Sequence, residues 1–207
     1  MSATGGGSGP SVAPVAVGPL TFGEIPGVMR LYRRQPTDSR ALFHPLPFDR
    51  LRLFAFLAYV VAIRRIARRL LPHRGLRVAL VLTARVGDAN GPIAFGLVGF
   101  DRRGPSPRAV FGYLVDEQSR GRGVGTRLHE EMIDAALRLG VTRGGGTVLA
   151  TNTPNLHLLT RLGFTITPTE SSDSGAVGVP NLATDGDLAA ISARFHSAAR
   201  RPPLRPA

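Results

Sequence analysis

The sequence predicts one α/β domain of the α+β type, with a mixed and mostly antiparallel sheet of about six strands flanked by helices. Hydrophobic residues make up 43% of the 207 positions, enough for one sizeable core, whereas a second full domain would need more chain. Three apolar runs joined by turn residues follow one another between residues 78 and 115. Beyond residue 115, extended and helical patterns alternate, which predicts the order β-α-β-α-β.

The segment before the sheet is predicted to be mainly helical. A short helix is expected around residues 25–34 and a second near 38–43. A long helix is expected over residues 48–71, ended by Pro72. Its second half gathers arginines on one side, which indicates a solvated basic face or, as the alternative, contact with an anionic surface. These arginines are Arg64, Arg65, Arg68 and Arg69.

The sheet is predicted from period-two patterns bounded by turn residues. The runs at 78–86, 93–101 and 109–115 are separated by breaks that suit hairpins, so they predict an antiparallel meander. The later elements are a helix from near 124 to 139, a strand at 146–151, a helix at 154–162, a strand at 163–168 and a final edge strand near 176–182.

The folded domain is expected to span residues 21–183. Residues 1–20 are predicted to be a flexible leader and not a signal peptide, because they lack a basic stretch and Pro14 and Pro19 interrupt their apolar patch. Residues 184–207 are predicted to hold a weak helix and a disordered basic tail. The apolar run at 51–63 is shorter than the roughly 18 residues of a bilayer span and contains Arg52, so no membrane span is expected.

The charge balance favours anionic partners without identifying one. There are 26 basic and 14 acidic residues, a net charge of +12, and every basic residue is Arg because Lys is absent. Such a surface attracts nucleotides, nucleic acid or acidic proteins, but it is also typical of a compositional bias. Cysteine is absent, which excludes disulfides and a thiolate nucleophile and is consistent with a cytoplasmic location.

A glycine-rich turn, RGRGVGT at residues 120–126, is the main candidate for a ligand site. A P-loop requires Lys, and a dinucleotide fingerprint requires G-x-G-x-x-G, whereas Gly121, Gly123 and Gly125 are spaced G-x-G-x-G. What is left is a strand, a glycine turn and a helix N-terminus, whose bare N–H groups can hold a pyrophosphate. The alternative is a turn that merely joins a strand to a helix.

Two motifs in this half of the chain occur in a recognisable order. Arg120, Gly123 and Gly125 match a signature of Arg or Gln, two residues, Gly, one residue, then Gly or Ala. Downstream, ATNTPNLHLLTRLGF at 150–164 supplies an Asn followed by a helix that ends in Leu-Gly-Phe. With these motifs the chain resembles the GNAT superfamily of acyl-CoA-dependent N-acyltransferases, most strongly over residues 109–167.

The resemblance implies a GNAT-type fold in which acetyl-CoA, as co-substrate, lies in a wedge between two splayed strands, and no metal is expected. Asn152 matches the Asn that bonds the pantetheine arm, although it is also a good helix N-cap, and Asn155 could contribute from the first helical turn. Backbone groups of Leu114 and Val115 would bind the pantetheine and the thioester carbonyl. The pyrophosphate would be held by the loop, namely Arg120, Gly121, Arg122, Gly123, Val124, Gly125 and Thr126.

The catalytic groups are less clear, because many members place a general-acid Tyr seven residues after the Asn and this chain has Leu159 there. His157 lies on a different side of that helix and cannot simply replace it. Asp101 and Tyr113 are the candidates for the base that deprotonates the amine. Glu117, His44 and a base acting through water stay open as alternatives.

The resulting hypothesis is an N-acetyltransferase that transfers an acetyl group from acetyl-CoA to a primary amine. The acceptor would be a protein lysine, a protein N-terminus or a small-molecule amine, and a homodimer is compatible with the sequence. The alternative is a catalytically silent module of the same fold that binds acyl-CoA, nucleic acid or an acidic partner.

Overall fold

The structure is a computed structural model that describes residues 15–36, 50–70, 80–87, 91–101, 107–169 and 181–199. Its helices are α1 (Ile25–Arg34), α2 (Arg50–Leu70), α3 (Val124–Arg138), α4 (Thr153–Leu162) and α5 (Leu188–Ala199). Its strands are β1 (Val15–Pro19), β2 (Leu80–Val86), β3 (Ala94–Asp101), β4 (Arg108–Val115), β5 (Arg143–Leu149), β6 (Thr165–Pro168) and β7 (Asn181–Asp187). The helix expected near 38–43 lies outside the described residues.

The described strands form one mixed sheet in the order β1-β2-β3-β4-β5-β7-β6, which confirms the predicted fold class with seven strands instead of about six. Strands β2, β3 and β4 form the expected antiparallel meander. Only the β4–β5 pair is parallel. It is also the shortest pairing, because it joins Arg108 to Arg143 and Ala109 to Gly144 and then stops.

The N-terminal edge of the sheet corrects the prediction of a leader over residues 1–20. Residues 15–19 form β1, which pairs antiparallel with β2 from Val15 opposite Val86 to Pro19 opposite Leu82. Proline is tolerated there because an edge strand has one side free of ladder bonds. Val15 and Val17 pack against the core, so pairing with a distant strand outweighs the local proline signal. Residues 1–14 lie outside the described part of the chain.

The C-terminal boundary expected at residue 183 is also wrong. Strand β7 starts later than the expected 176–182 and lies between β5 and β6, so it is an interior strand. Asp187 caps α5 by accepting hydrogen bonds from the Ala189 and Ala190 N–H groups. Leu188 and Ile191 are buried in the main core. Helix α5 is therefore part of the domain, whereas the basic tail at 200–207 lies outside the described residues.

The hydrophobic core has one part on each face of the sheet. Strand β4 serves both, because successive side chains point to opposite faces. Helices α1 and α2 cover one face, and the buried residues there include Val28, Leu31, Leu53, Leu57, Phe95 and Leu114. Helices α3, α4 and α5 cover the other face, and the buried residues there include Leu128, Met132, Leu159, Leu162, Leu188 and Ile191. No helix in the described part of the chain is both long and apolar enough to cross a bilayer.

Both ends of helix α2 lie within two residues of the limits expected from the sequence. Its Leu53 and Leu57 side chains are buried in the core. Leu51, Phe54 and Tyr59 are exposed on its other side. The side chains of the arginine cluster at its end lie outside the described set.

The glycines of β5 provide a matched test of the sheet. A Cβ on Gly145 would overlap the backbone carbonyl oxygen of Thr184 on β7, whereas a Cβ on Gly146 would meet nothing closer than Val110 Cγ1 at 3.6 Å. Gly145→Ala is therefore expected to lower the free energy of unfolding by at least about 2 kcal/mol. Gly146→Ala should change it by less than about 1 kcal/mol. Urea unfolding followed by circular dichroism measures both, and equal losses would contradict the packing described for β5.

A buried carboxylate just before α1 ties the turn that precedes this helix to β2. Glu24 is only 9% exposed. One oxygen accepts bonds from the Thr21 N–H at 2.8 Å and its hydroxyl at 2.6 Å. The other accepts from the Thr83 hydroxyl at 2.8 Å and from the Arg85 guanidinium. Burial alone would raise the pKa of Glu24, but the hydrogen bonds from Thr21, Thr83 and Arg85 outweigh it, and the pKa is lowered.

This network makes stability depend on pH in a defined direction. Because the folded pKa of Glu24 lies below its ordinary value of 4.5, the stabilisation is complete above that value and is lost as the pH falls through the folded pKa. Glu24→Gln places an N–H₂ group against the donors of Thr21 or of Thr83 and Arg85. It should cost about 1–3 kcal/mol at neutral pH. Unfolding measured between neutral and acidic pH should show this difference shrinking in acid, and a constant difference would contradict the role of the charge.

Candidate functional site

The central feature of the site is a cleft between β4 and β5. β5 pairs with β7 along its full length, and beyond Ala109 the edge of β4 on that side has no partner among the described strands. The opening has a volume of about 590 Å³ and extends from the glycine turn to Phe164 and Thr184. The backbone of β4 is therefore available to a ligand along this edge.

The glycine turn lies at the mouth of the cleft. Gly121 and Gly123 have φ angles of +73° and +78°, which only glycine adopts without strain. Gly123 is the N-cap of α3, and no side chain caps the helix. The first N–H groups of α3 therefore lack intrahelical acceptors, and the positive end of the helix dipole lies at the turn. This arrangement suits an anion.

Side chains from two other elements hold the turn. The Arg120 guanidinium donates to Gln35 Oε1 at 3.2 Å, and Gln35 Nε2 donates to Asp116 Oδ1 at 3.3 Å. Gln35, at the end of α1, is only 3% exposed. On the opposite side, the Arg161 guanidinium donates to the Thr126 hydroxyl at 2.6 Å. Two permanent positive charges thus lie at the mouth of the cleft.

A hydrogen bond joins the two walls of the cleft. The Tyr113 hydroxyl on β4 donates to Asn155 Oδ1 on α4 at 2.9 Å. Asn155 is held in turn because its N–H donates to Asn152 Oδ1 at 3.4 Å, so Asn152 is the N-cap of α4. Burial raises the pKa of Tyr113, and its hydroxyl stays protonated at neutral pH.

Most of the residues singled out in the sequence meet at this cleft. Its lining includes Tyr113, Leu114, Val115, Arg120, Gly121, Gly123, Gly125, Thr126, Asn152 and Asn155. Arg122 and Val124 do not line it: Arg122 is exposed and Val124 is buried in the core. Both still contribute backbone to the turn.

The other acid–base candidates differ in their position relative to the cleft. Asp101 pairs with Arg108, where β4 is still joined to β5, and lies roughly 17 Å along the sheet from Tyr113. The structure does not bring it into the cleft, because the strand places it at the closed end. Glu117 lies in a short 3-10 turn and is not part of the lining. His157 and Leu159 line the cleft, and His44 lies outside the described residues.

One residue of the lining is not among the candidates from the sequence. His129, on α3, is 1% exposed, and neither ring nitrogen has a hydrogen-bond partner among the described residues. Such a group costs about 1–3 kcal/mol when left unpaired. The helical spacing of Gly125 and His129 places both on one side of α3 and was a usable clue. Arg161 and Gln35 were also missed, because their partners are distant in sequence.

The cleft combines a positive mouth with a neutral interior. Arg120 and Arg161 are its arginines, and none of the described residues that line it is Asp or Glu. In the part of the chain that the structure covers, no group of three or more His, Asp or Glu residues is placed to hold a metal ion. The arrangement can bind an elongated ligand with an anionic end at the turn and an uncharged arm between the strands.

Comparison with known proteins identifies the family of this fold. A model of the GNAT acetyltransferase family matches residues 37–164, which is more than half of the chain. The chain therefore belongs to the GNAT acetyltransferase family. No curated protein matches the sequence.

Several solved structures share the fold. The ribosomal-protein-S5-alanine acetyltransferase of Vibrio fischeri has a TM-score of 0.65 at 15% identity, over 84% of this chain and 93% of that one. An N-acetyltransferase of Staphylococcus aureus has a TM-score of 0.62 at 13% identity, over 85% and 99%. The yncA protein of Salmonella typhimurium, solved with its cofactor acetyl-CoA, has a TM-score of 0.60 at 16% identity, over 84% and 94%. At these identities the likeness concerns the fold alone.

Proposed function

We propose that this protein is an N-acetyltransferase that transfers an acetyl group from acetyl-CoA to a primary amine by direct attack. The observation that carries the proposal is the cleft between β4 and β5, which opens beside an uncapped helix N-terminus at the glycine turn. Membership of the GNAT family supports it, as does the acetyl-CoA bound to yncA on the same fold. The acceptor would be a protein lysine, a protein N-terminus or a small-molecule amine.

The donor would be held mainly by backbone groups. The N–H groups at the turn, from Arg120 to Thr126, would bind the pyrophosphate, with Arg120 and Arg161 adding charge. The Asp116 N–H bonds the Ile93 carbonyl on the β3 side. Because backbone groups alternate along an antiparallel strand, those of Tyr113 and Val115 would face the cleft and those of Leu114 would face β3. Asn152 and Asn155 would border the pantetheine arm from α4.

The reaction requires two proton movements. As the amine nitrogen forms the new C–N bond, the C–S bond of the thioester breaks, the nitrogen loses a proton and the sulfur gains one. Because burial raises the pKa of Tyr113, its hydroxyl stays protonated at neutral pH, so Tyr113 would act as a hydrogen-bond or proton donor to the departing sulfur and not as the base. Asn155 lies one turn before Leu159, so the Tyr113 hydroxyl reaches the α4 face from which the usual Tyr would come. With no carboxylate in the described lining, the amine would lose its proton through water.

The proposal predicts CoA release that depends on both acetyl-CoA and an amine. Thiol release is measured with a panel of small amines, peptides with a free N-terminus and lysine-containing peptides. A catalytically silent module is the second candidate, favoured by the absence of a carboxylate among the described lining residues. Tight acetyl-CoA binding without any acceptor-dependent thiol release would support that module and contradict the enzyme.

The role of Tyr113 predicts a specific kinetic defect. Tyr113→Phe keeps the ring but removes the proton donor, so kcat should fall by roughly 100-fold while KM for acetyl-CoA changes little. Tyr59→Phe is the matched control, because Tyr59 is 61% exposed on α2 and away from the cleft. Equal kcat values for the two variants would rule out Tyr113 as the donor.

A cytoplasmic location and a homodimer are predictions, and so is a nucleic-acid or acidic-partner role. That last role would show as binding that weakens steeply with salt.

A further inference from the structure

The wall of the cleft contains a histidine in unusual surroundings. His129 on α3 packs among three aromatic rings, with ring centroids 5.2 Å from Phe111, 5.2 Å from Tyr113 and 5.8 Å from Phe164. The Tyr113 contact is edge-on, at an interplanar angle of 87°. Apolar side chains would fill this space without leaving a polar atom unpaired, so packing alone does not explain an imidazole here.

Two hydroxyl groups of the lining already donate to other acceptors. The Tyr113 hydroxyl donates to Asn155, and the Thr184 hydroxyl, also in the lining, donates to the Gly146 carbonyl at 3.2 Å. Neither His129 nitrogen finds a partner among the described residues. Burial lowers the pKa of His129 to about 4, and the ring is therefore neutral at neutral pH. A neutral imidazole offers one N–H donor and one nitrogen acceptor.

A hydrogen-bond partner can reach the His129 ring from the cleft, which the ring lines. His129 lines it together with Gly145 and Gly146 of β5. Charged phosphates are drawn to the mouth by Arg120, Arg161 and the α3 dipole, and a neutral ring in an aromatic surrounding is a poor partner for them. An uncharged amide or carbonyl group matches the ring in both charge and hydrogen-bonding capacity.

We propose that His129 binds the acyl-pantetheine arm of the donor through a hydrogen bond from its neutral ring to an uncharged amide or carbonyl group of that arm. This inference rests on the proposed function, since it requires acyl-CoA in the cleft. It assigns to α3 two contributions: its N-terminus holds the pyrophosphate, and His129, one turn further, holds the arm.

The test compares His129→Leu with His129→Gln in the full chain. Leu fills the aromatic surrounding without polar atoms, and Gln keeps a donor and an acceptor. Isothermal titration measures binding of two probes: CoA, and the nucleotide half of CoA, which carries the pyrophosphate but no pantetheine. His129→Leu should raise Kd for CoA roughly tenfold and leave Kd for the nucleotide half unchanged. His129→Gln should retain most of the CoA affinity.

Stability supplies an independent readout. Because Leu removes the unpaired polar atoms, the Tm of His129→Leu should equal or exceed that of the wild type. Two outcomes would overturn the inference: unchanged CoA affinity in His129→Leu, or an equal loss for both probes, which would indicate general damage to the site. Failure of the wild type to bind CoA at all would instead refute the proposed function, so the two failures are distinguishable.

Discussion

The site depends on the unequal pairing of β5 with its two neighbours, β4 and β7. β5 pairs with β7 over Arg143–Leu149 but with β4 over only two positions, so the sheet stays continuous while its centre opens. Gly145 allows this, because the Thr184 carbonyl occupies the space a side chain would need. Beyond Ala109, the backbone edge of β4 facing β5 therefore has no partner among the described strands, and helices cover both faces of the sheet.

The cleft acquires its chemistry from the elements at its borders. At the mouth, the uncapped N-terminus of α3 provides partial positive charge, and the contact of Arg120 with Gln35 ties the glycine turn to α1 on the other face. Further in, the Tyr113–Asn155 hydrogen bond links β4 to α4. The charge is therefore concentrated at one end of the cleft, and the interior is neutral, a gradient that orients a ligand with one anionic end.

The predictions succeeded where the signal was local. The glycine spacing at residues 121–125, the Asn-Thr-Pro start of α4 and the period-two runs of the meander each specify a conformation through neighbouring residues, and the structure reproduces them. They failed where a distant partner decides. Residues 15–19 form a strand because they pair with β2, and β7 is interior because it pairs with β5 on one side and β6 on the other. The position of Asp101 at the end of a predicted strand made it a candidate for the base, but the register of β3 places it at the closed end of the cleft.

Three family-level features of this protein follow from the sequence alone: the order of the elements, the glycine turn and the Asn that caps α4. These are encoded within a few residues, through φ angles, capping and periodicity. Which side chains share the cleft depends on the tertiary structure. It placed His129 among aromatic rings, brought Arg161 to Thr126 and carried the Tyr113 hydroxyl to Asn155. The physical reason is that such contacts join residues far apart in the chain, whose approach is set by strand register and helix packing.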